Sequence, residues 1–211
     1  MNLAADLAFQ SPLGRSDLNP VHEGTSFMRL RRDHFTTYQM NPFLKEWAQF
    51  IRSIDTNHLI STGFSAPRPA AQHLRLAGGT GDWTQDNAAE LETYLRETHP
   101  APIDLISVHF YQRHDNLRLG NTDEGSVTAL AAFMQVASRI GKPLYVGETG
   151  DDYPNRPDAP FLNRVLDEAV RLQIPLTLVW DWMSHDEKHE VSPERTPEVV
   201  SLMRRANAMM R

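Results

Sequence analysis

Glu148 closes the run GKPLYVGETG (141–150), in which a short apolar stretch suited to a buried strand leads into a carboxylate among glycines. Burying even a neutral polar group without a partner costs on the order of 2–7 kcal/mol, so a carboxylate at that place needs a partner or a task. Three other apolar runs carry polar or aromatic residues at their ends. HLISTGFS (58–65) brings Ser61, Thr62 and Ser65, IDLISVHFY (103–111) brings His109 and Tyr111, and IPLTLVWDW (174–182) brings Trp180, Asp181 and Trp182. A carboxylate in such company can attack an anomeric carbon, and indoles offer flat faces to a sugar ring. The same residues also have plain structural uses: Glu148 as a helix cap or ion-pair partner, His109 as a hydrogen-bonded core histidine, one of the two tryptophans as packing. Alternation along a strand sets Trp180 and Trp182 on one face and Asp181 on the other.

The four runs read as strands buried on both faces. Between them lie helical patterns. Val127, Leu130, Ala131, Met134 and Ala137 share one stripe, as do Leu162, Val165, Leu166, Ala169 and Val170, at the 3.6-residue period. An earlier helix over 42–54 gathers Phe43, Trp47, Ala48, Ile51 and Ile54 on one side, and another covers 86–98. The last helix opens with Thr196 as cap and Pro197 as first residue, the order that helix starts favour. Strands alternating with helices imply a parallel α/β sheet with right-handed crossovers. The loops after the strands are longer than those before them, so one rim carries the elaboration, and ligands of parallel α/β proteins bind at that carboxyl end. Residues 1–41 hold Pro, Gly and Ser punctuation and no strand pattern, which suggests a long loop.

The chain has 211 residues, enough for one domain, and its 40% apolar content supports a packed core. A net charge of -6, with no basic cluster denser than Arg29–Arg32, argues against nucleic acid as a partner. No window approaches the roughly 18 apolar residues of a membrane span, and the first residues lack a signal-peptide pattern. Localisation stays open, since a longer parent can carry such a signal in its N-terminal part. Cysteine is absent, so thiolate metal sites and disulfides are excluded.

KPLYVGETG followed by a helix and LTLVWDW resembles strands seven and eight of the retaining glycoside hydrolases of the cellulase and mannanase type, family five and its clan relatives. IDLISVHFY is similar to strand six of that fold, and FLKEWAQFIRSIDTNHLISTGFSAPRP to its helix and strand-five segment, so the likeness covers about residues 35–183. The resemblance implies a (β/α)8 TIM-barrel type of α/β fold of which this chain holds only the C-terminal half, about strands 5 to 8, as a single partial barrel domain over 1–211. It further implies that Glu148 is the nucleophile of a double displacement on β-linked glycans, that Trp180 floors the sugar subsite with Trp182 beside it, and that His109 and Tyr111 line the site. An oligo- or polysaccharide is the implied substrate, with no cofactor and no metal.

The family pattern also requires a second carboxyl roughly 5–5.5 Å from the first. In the family it belongs to an Asn-Glu pair at the end of strand four, and this sequence contains no Asn-Glu pair. MNLAADL resembles the segment just after that pair, which implies a truncated chain whose acid/base Glu lay upstream. A full barrel takes about 250 residues. Glu23 in PVHEG is a substitute donor without a strand to aim it. A half-barrel leaves 58–65 and 174–182 as open edges through which the chain would self-associate.

Other readings use other residues. HDEKH (185–189) spaces two histidines four apart, so His185 and His189 with His109 suggest a metal-dependent hydrolase, against a solvated polar loop. AGGTG (77–81) reads as a rim loop and not a phosphate cradle. Trp83, Arg68 and Arg75 are candidates to reach a ligand from the loop after the first strand, Arg68 as a substrate-binding residue, against surface charge for both arginines. A non-catalytic carbohydrate-binding or interaction module that keeps the aromatic residues is the main alternative to an enzyme.

Overall fold

The computed structural model describes residues 37–64, 66–67, 69–76, 82, 84–111, 123–183 and 189–210. They fall into two compact units, Met1–Thr62 with Pro67–Leu105, and Gly63–Ala66 with Ile106–Arg211. The first unit carries α1 (Thr37–Ile54), α2 (Ala71–Leu76) and α3 (Ala88–Thr98). The second carries β1 (Ile106–Tyr111), α4 (Asp123–Ile140), β2 (Leu144–Gly150), α5 (Pro160–Arg171), β3 (Thr177–Val179) and α6 (Pro197–Met209).

In the second unit the strands form one parallel sheet in the order β1-β2-β3. This is the α/β alternation expected from the sequence. Ile106, Val108, Leu144 and Val146 are completely buried, as residues of a parallel sheet covered on its faces must be. α4 contributes Leu130 and Phe133 to the core, and the Phe133 ring meets Phe110 edge-on at 6.0 Å. α5 adds Phe161, Leu162 and Val165, all without exposed surface. The stripe predicted for α5 therefore faces the core, whereas on α4 only Leu130 and Ala137 of the predicted stripe are buried; Val127, Ala131 and Met134 are half-buried, and Phe133 and Val136, outside the stripe, take the core positions. α4 stops at Gly141, whose φ of +79° lets its N–H and that of Lys142 both reach the Ala137 carbonyl; an L side chain there would be strained.

The run 58–65 does not become a strand among the described residues. It makes a single parallel bridge, Ser61 to Leu105. Two features account for this. The Asp104 carboxylate accepts the Ile60 N–H at 2.7 Å, occupying a donor that a strand partner would use, and Gly63 turns to a φ of +67°. The expected strand at 174–182 shortens to β3, which borders the described sheet with Leu176 and Leu178 exposed.

α1 begins at Thr37, before the expected start, and runs through Pro42. Among its described side chains Leu44 and Ala48 are buried; of the residues expected to share one side with Ala48, Ile51 is half-buried, and Phe43, Trp47 and Ile54 are exposed. α2 arises inside what read as a loop. Its first amides, from Gln72 and His73, donate to the two carboxylate oxygens of Asp86 at 2.7 and 3.1 Å. α3 then starts after Asn87 with a reciprocal cap: Asn87 Oδ1 accepts from Glu90 N, and Glu90 Oε2 from Asn87 N. At α6 the expected hydroxyl cap is absent, because Thr196 Oγ1 accepts from Ser192 N at 2.9 Å instead.

α5 has a start that sequence rules miss. Its N-cap, Ala159, sits at a φ of +43° and has no side chain able to cap. Asp151, buried nine positions before Pro160, supplies the acceptor: its Oδ2 takes the Phe161 N–H at 3.0 Å. Asp151→Ala is expected to lower stability by about 1–3 kcal/mol, the cost of a buried donor left unmet. Asp151→Asn, which keeps an acceptor, should lose less. Chemical denaturation of the three proteins checks the order.

Candidate active site at the carboxyl ends of the strands

Glu148 lies on the central strand, at a break in its pairing. Val108 pairs with Val146, yet the next residue, His109, pairs with Glu148, so Gly147 is an extra residue on β2. The other flank repeats the break: Val146 pairs with Thr177 and Thr149 with Val179, three steps against two. Such bulges re-aim a side chain. In an unbroken pleat Glu148 would fall on the face of Leu144 and Val146, both fully buried. With the extra residue its side chain keeps 32% of its surface, and Thr149 takes the buried place.

Gly147 is required by a close approach. A Cβ there would stand 2.9 Å from His109 Nε2 and 3.0 Å from its Cδ2. The imidazole thus packs onto bare backbone, with its Nδ1 3.4 Å from Glu148 Oε2. Tyr111, two residues on, donates its hydroxyl to the same oxygen at 3.0 Å. Burial holds the His109 pKa below that of a free histidine, and the neighbouring Glu148 charge only partly offsets it.

His189, raised from sequence as a metal ligand, takes a different place. Its ring meets Tyr111 edge-on at 5.9 Å, and its Nδ1 lies 2.9 Å from the Asp151 carbonyl. A carbonyl only accepts, so Nδ1 carries the hydrogen. Asp151 itself is fixed by the α5 amide, so helix start, Asp151, His189, Tyr111 and Glu148 form one connected series. Asp151 and Gly147 were not singled out from sequence as parts of the site. The signal was the glycine-flanked carboxylate followed by two acids, GETGDD.

β3 ends at Val179, so strand alternation does not extend to Trp180 and Trp182. Trp180 is joined to the site through its backbone: its N–H donates to the Thr149 carbonyl at 2.8 Å, and its own carbonyl passes over Gly150. The Trp180–Asp181 peptide is cis. The two indoles are 42% and 55% exposed, and the chain returns through backbone bonds from Asp181 and Met183 to 189–191.

Arg68, Ser65, Trp83, Glu23, His185 and the glycine-rich 77–81 lie outside the described residues. Arg75 is engaged elsewhere, in an ion pair with Glu97 and over the Tyr94 ring. Among the described residues, the set of three with ligand atoms close enough for a metal ion is His73, Asp86 and Glu90 in the first unit. Those groups serve one another: His73 Nδ1 is 2.7 Å from Asp86 Oδ1, and that bond raises the His73 pKa.

No protein-family model matches the chain, and no curated protein matches it. Solved structures do. An endo-1,4-β-mannanase from Rhizomucor miehei superposes with a TM-score of 0.59 at 16% identity, over 84% of this chain and 49% of its own. A family 5 glycoside hydrolase mannosidase from the same organism gives 0.55 at 15%, over 81% and 48%. An endo-β-1,4-mannanase from Thermotoga petrophila gives 0.51 at 17%, over 82% and 40%. The chain therefore shares the α/β fold of these glycoside hydrolases and spans about half the length of each or less.

Gly147→Ala should displace His109 and cost about 1–3 kcal/mol, read by denaturation and by the imidazole resonances of His109. For His109 the folded pKa is depressed, so its contribution to stability is complete above the free value of about 6.5 and is lost as pH falls through the lower folded value. Denaturation midpoints between pH 8 and 5 should fall less steeply in His109→Gln than in the wild type.

Proposed function

We propose that the chain carries the nucleophile half of a retaining glycoside hydrolase acting on β-linked glycans. The observation that carries this reading is the convergence of the Tyr111 hydroxyl and His109 on Oε2 of Glu148, at the carboxyl end of the middle strand of a mannanase-like fold. The Glu148 carboxylate attacks the anomeric carbon, forming a glycosyl ester. The bond to the leaving oxygen breaks, and that oxygen departs with the electron pair. Water then hydrolyses the ester. Tyr111 and His109 hold Oε2, and the exposed Trp180 and Trp182 supply faces for the sugar.

The mannanase neighbours favour a β-1,4-mannan as substrate. On this reading the acid/base Glu is lacking, and glycans whose leaving group needs a proton turn over about 10²–10⁴ more slowly than in a complete enzyme. An aryl leaving group needs no proton, so an activated glycoside separates the two carboxyl functions. The second reading, a binding module without catalysis, is favoured by the exposure of both indoles.

Incubation with 2,4-dinitrophenyl 2-deoxy-2-fluoro-β-mannoside should leave a covalent sugar on the peptide containing Glu148, detected by mass spectrometry. Glu148→Gln should remain unlabelled. Tyr111→Phe should label about 10-fold more slowly, the loss of one hydrogen bond to a charged group. Tryptophan fluorescence that responds to mannooligosaccharide in a chain that never labels would replace this reading with the binding module.

A further inference from the structure

The first unit displays an apolar ridge that the proposed chemistry does not use. Along α1, Phe43, Trp47, Phe50 and Ile54 are 55%, 52%, 57% and 72% exposed. Phe43 and Trp47 stack at 6.3 Å, and Trp47 and Phe50 at 5.9 Å. The adjoining flank of the helix, with Leu44 and Ala48, is already buried. These four side chains therefore form a second apolar stripe, additional to the one that packs the unit.

We infer that a second copy of this chain docks on this ridge, α1 against α1, antiparallel about a two-fold axis. The spacing of the four residues is 4-3-4, that of a helix-pairing seam. It is also a palindrome, so a reversed copy presents the same spacing, as a self-complementary two-fold contact requires. The two-fold sets Phe43 level with Ile54 of the other copy and Trp47 level with Phe50. It brings Glu46 of each copy beside Ser53 of the other, while the flank with Leu44 stays against its own unit, so no like charges meet at the seam. Taking an aromatic side chain at about 150–250 Å², the exposed fractions amount to roughly 400–500 Å² per copy. That is below the ~800 Å² per partner of a standard stable interface, and it fits a dimer that exchanges with monomer at micromolar concentration. A glycan is a poorer occupant, because rings stacked on one another close part of each face that a sugar needs.

Sedimentation velocity on the full chain from about 1 to 100 μM is the test. The expected result is a concentration-dependent dimer that Trp47→Glu weakens at least 10-fold with little change in the thermal midpoint, since Trp47 is half exposed. Ser53→Lys should tighten the dimer about 2–5-fold by pairing with Glu46, and Ser53→Glu should loosen it by a similar factor, the scale of an exposed ion pair. Leu178→Lys, on the β3 border of the sheet, should leave it unchanged. The inference is overturned by a chain that stays monomeric throughout, by a dimer that survives Trp47→Glu and is lost in Leu178→Lys, or by Ser53 variants that shift the dimer in the opposite sense. A monomer whose binding to soluble mannan disappears with Trp47→Glu would assign the ridge to sugar and overturn it too.

Discussion

Everything proposed for the second unit depends on where the pleat of β2 slips. A strand with Leu144 and Val146 fully buried has committed one face to the interior, and the next residue on that face is position 148. A carboxylate there meets a desolvation cost that its neighbours, a tyrosine hydroxyl and a histidine, do not repay unless the group also keeps water. The extra residue at Gly147 resolves this on both flanks at once. It rotates Glu148 out of the buried series while its backbone stays paired, and Thr149 resumes the alternation. Glycine serves the slip by leaving room for the His109 ring.

The pieces around Glu148 come from separate connections, and each is tied to a backbone group of a neighbouring element. Tyr111 ends β1. Trp180 is hung from the Thr149 carbonyl, and His189 from the Asp151 carbonyl, so both are referenced to the same stretch, 148–151, that bears the carboxylate. Asp151 adds the link to α5 through the Phe161 amide. A helix start that uses an acceptor from the preceding strand end fixes the loop between them, and this lets residues far apart in sequence hold a common geometry.

The sequence made β1, β2 and the helices behind them legible because their apolar periodicity is strong and their ends are punctuated. The stripe of α5 shows in that periodicity alone, and the strand ends locate His109, Tyr111 and Glu148 on neighbouring strands. Several of the contacts that escape such reading join residues distant in sequence. The run 58–65 has strand composition, yet Asp104, more than 40 residues on, claims the Ile60 amide, and Gly63 turns the chain. α2 is too short for periodicity to register, and it is held by Asp86, which lies beyond a glycine-rich stretch. Thr196 has the right type and place for a cap, but its single hydroxyl is drawn to Ser192 N. The bulge is invisible to a period-two reading, which assumes the register that the bulge breaks.

α1 shows most clearly why periodicity cannot choose a face. Its apolar residues cover about half of the helix circumference: Leu44, Ala48 and Ile51 on one side of that arc, Phe43, Trp47, Phe50 and Ile54 on the other. A stripe drawn through the largest side chains selects the aromatic flank, because burial area scales with side-chain size. The fold chose the flank with Ala48, because a small residue lets a helix backbone approach its neighbours closely, and dispersion contacts at close range outweigh the larger but unmatched rings. The rings are then left at the surface, where each forgoes the burial that its size could contribute. A helix apolar on two flanks is most stable between two partners. The core of the first unit supplies one of them, and the stacking of Phe43, Trp47 and Phe50 on each other recovers only part of what a second would.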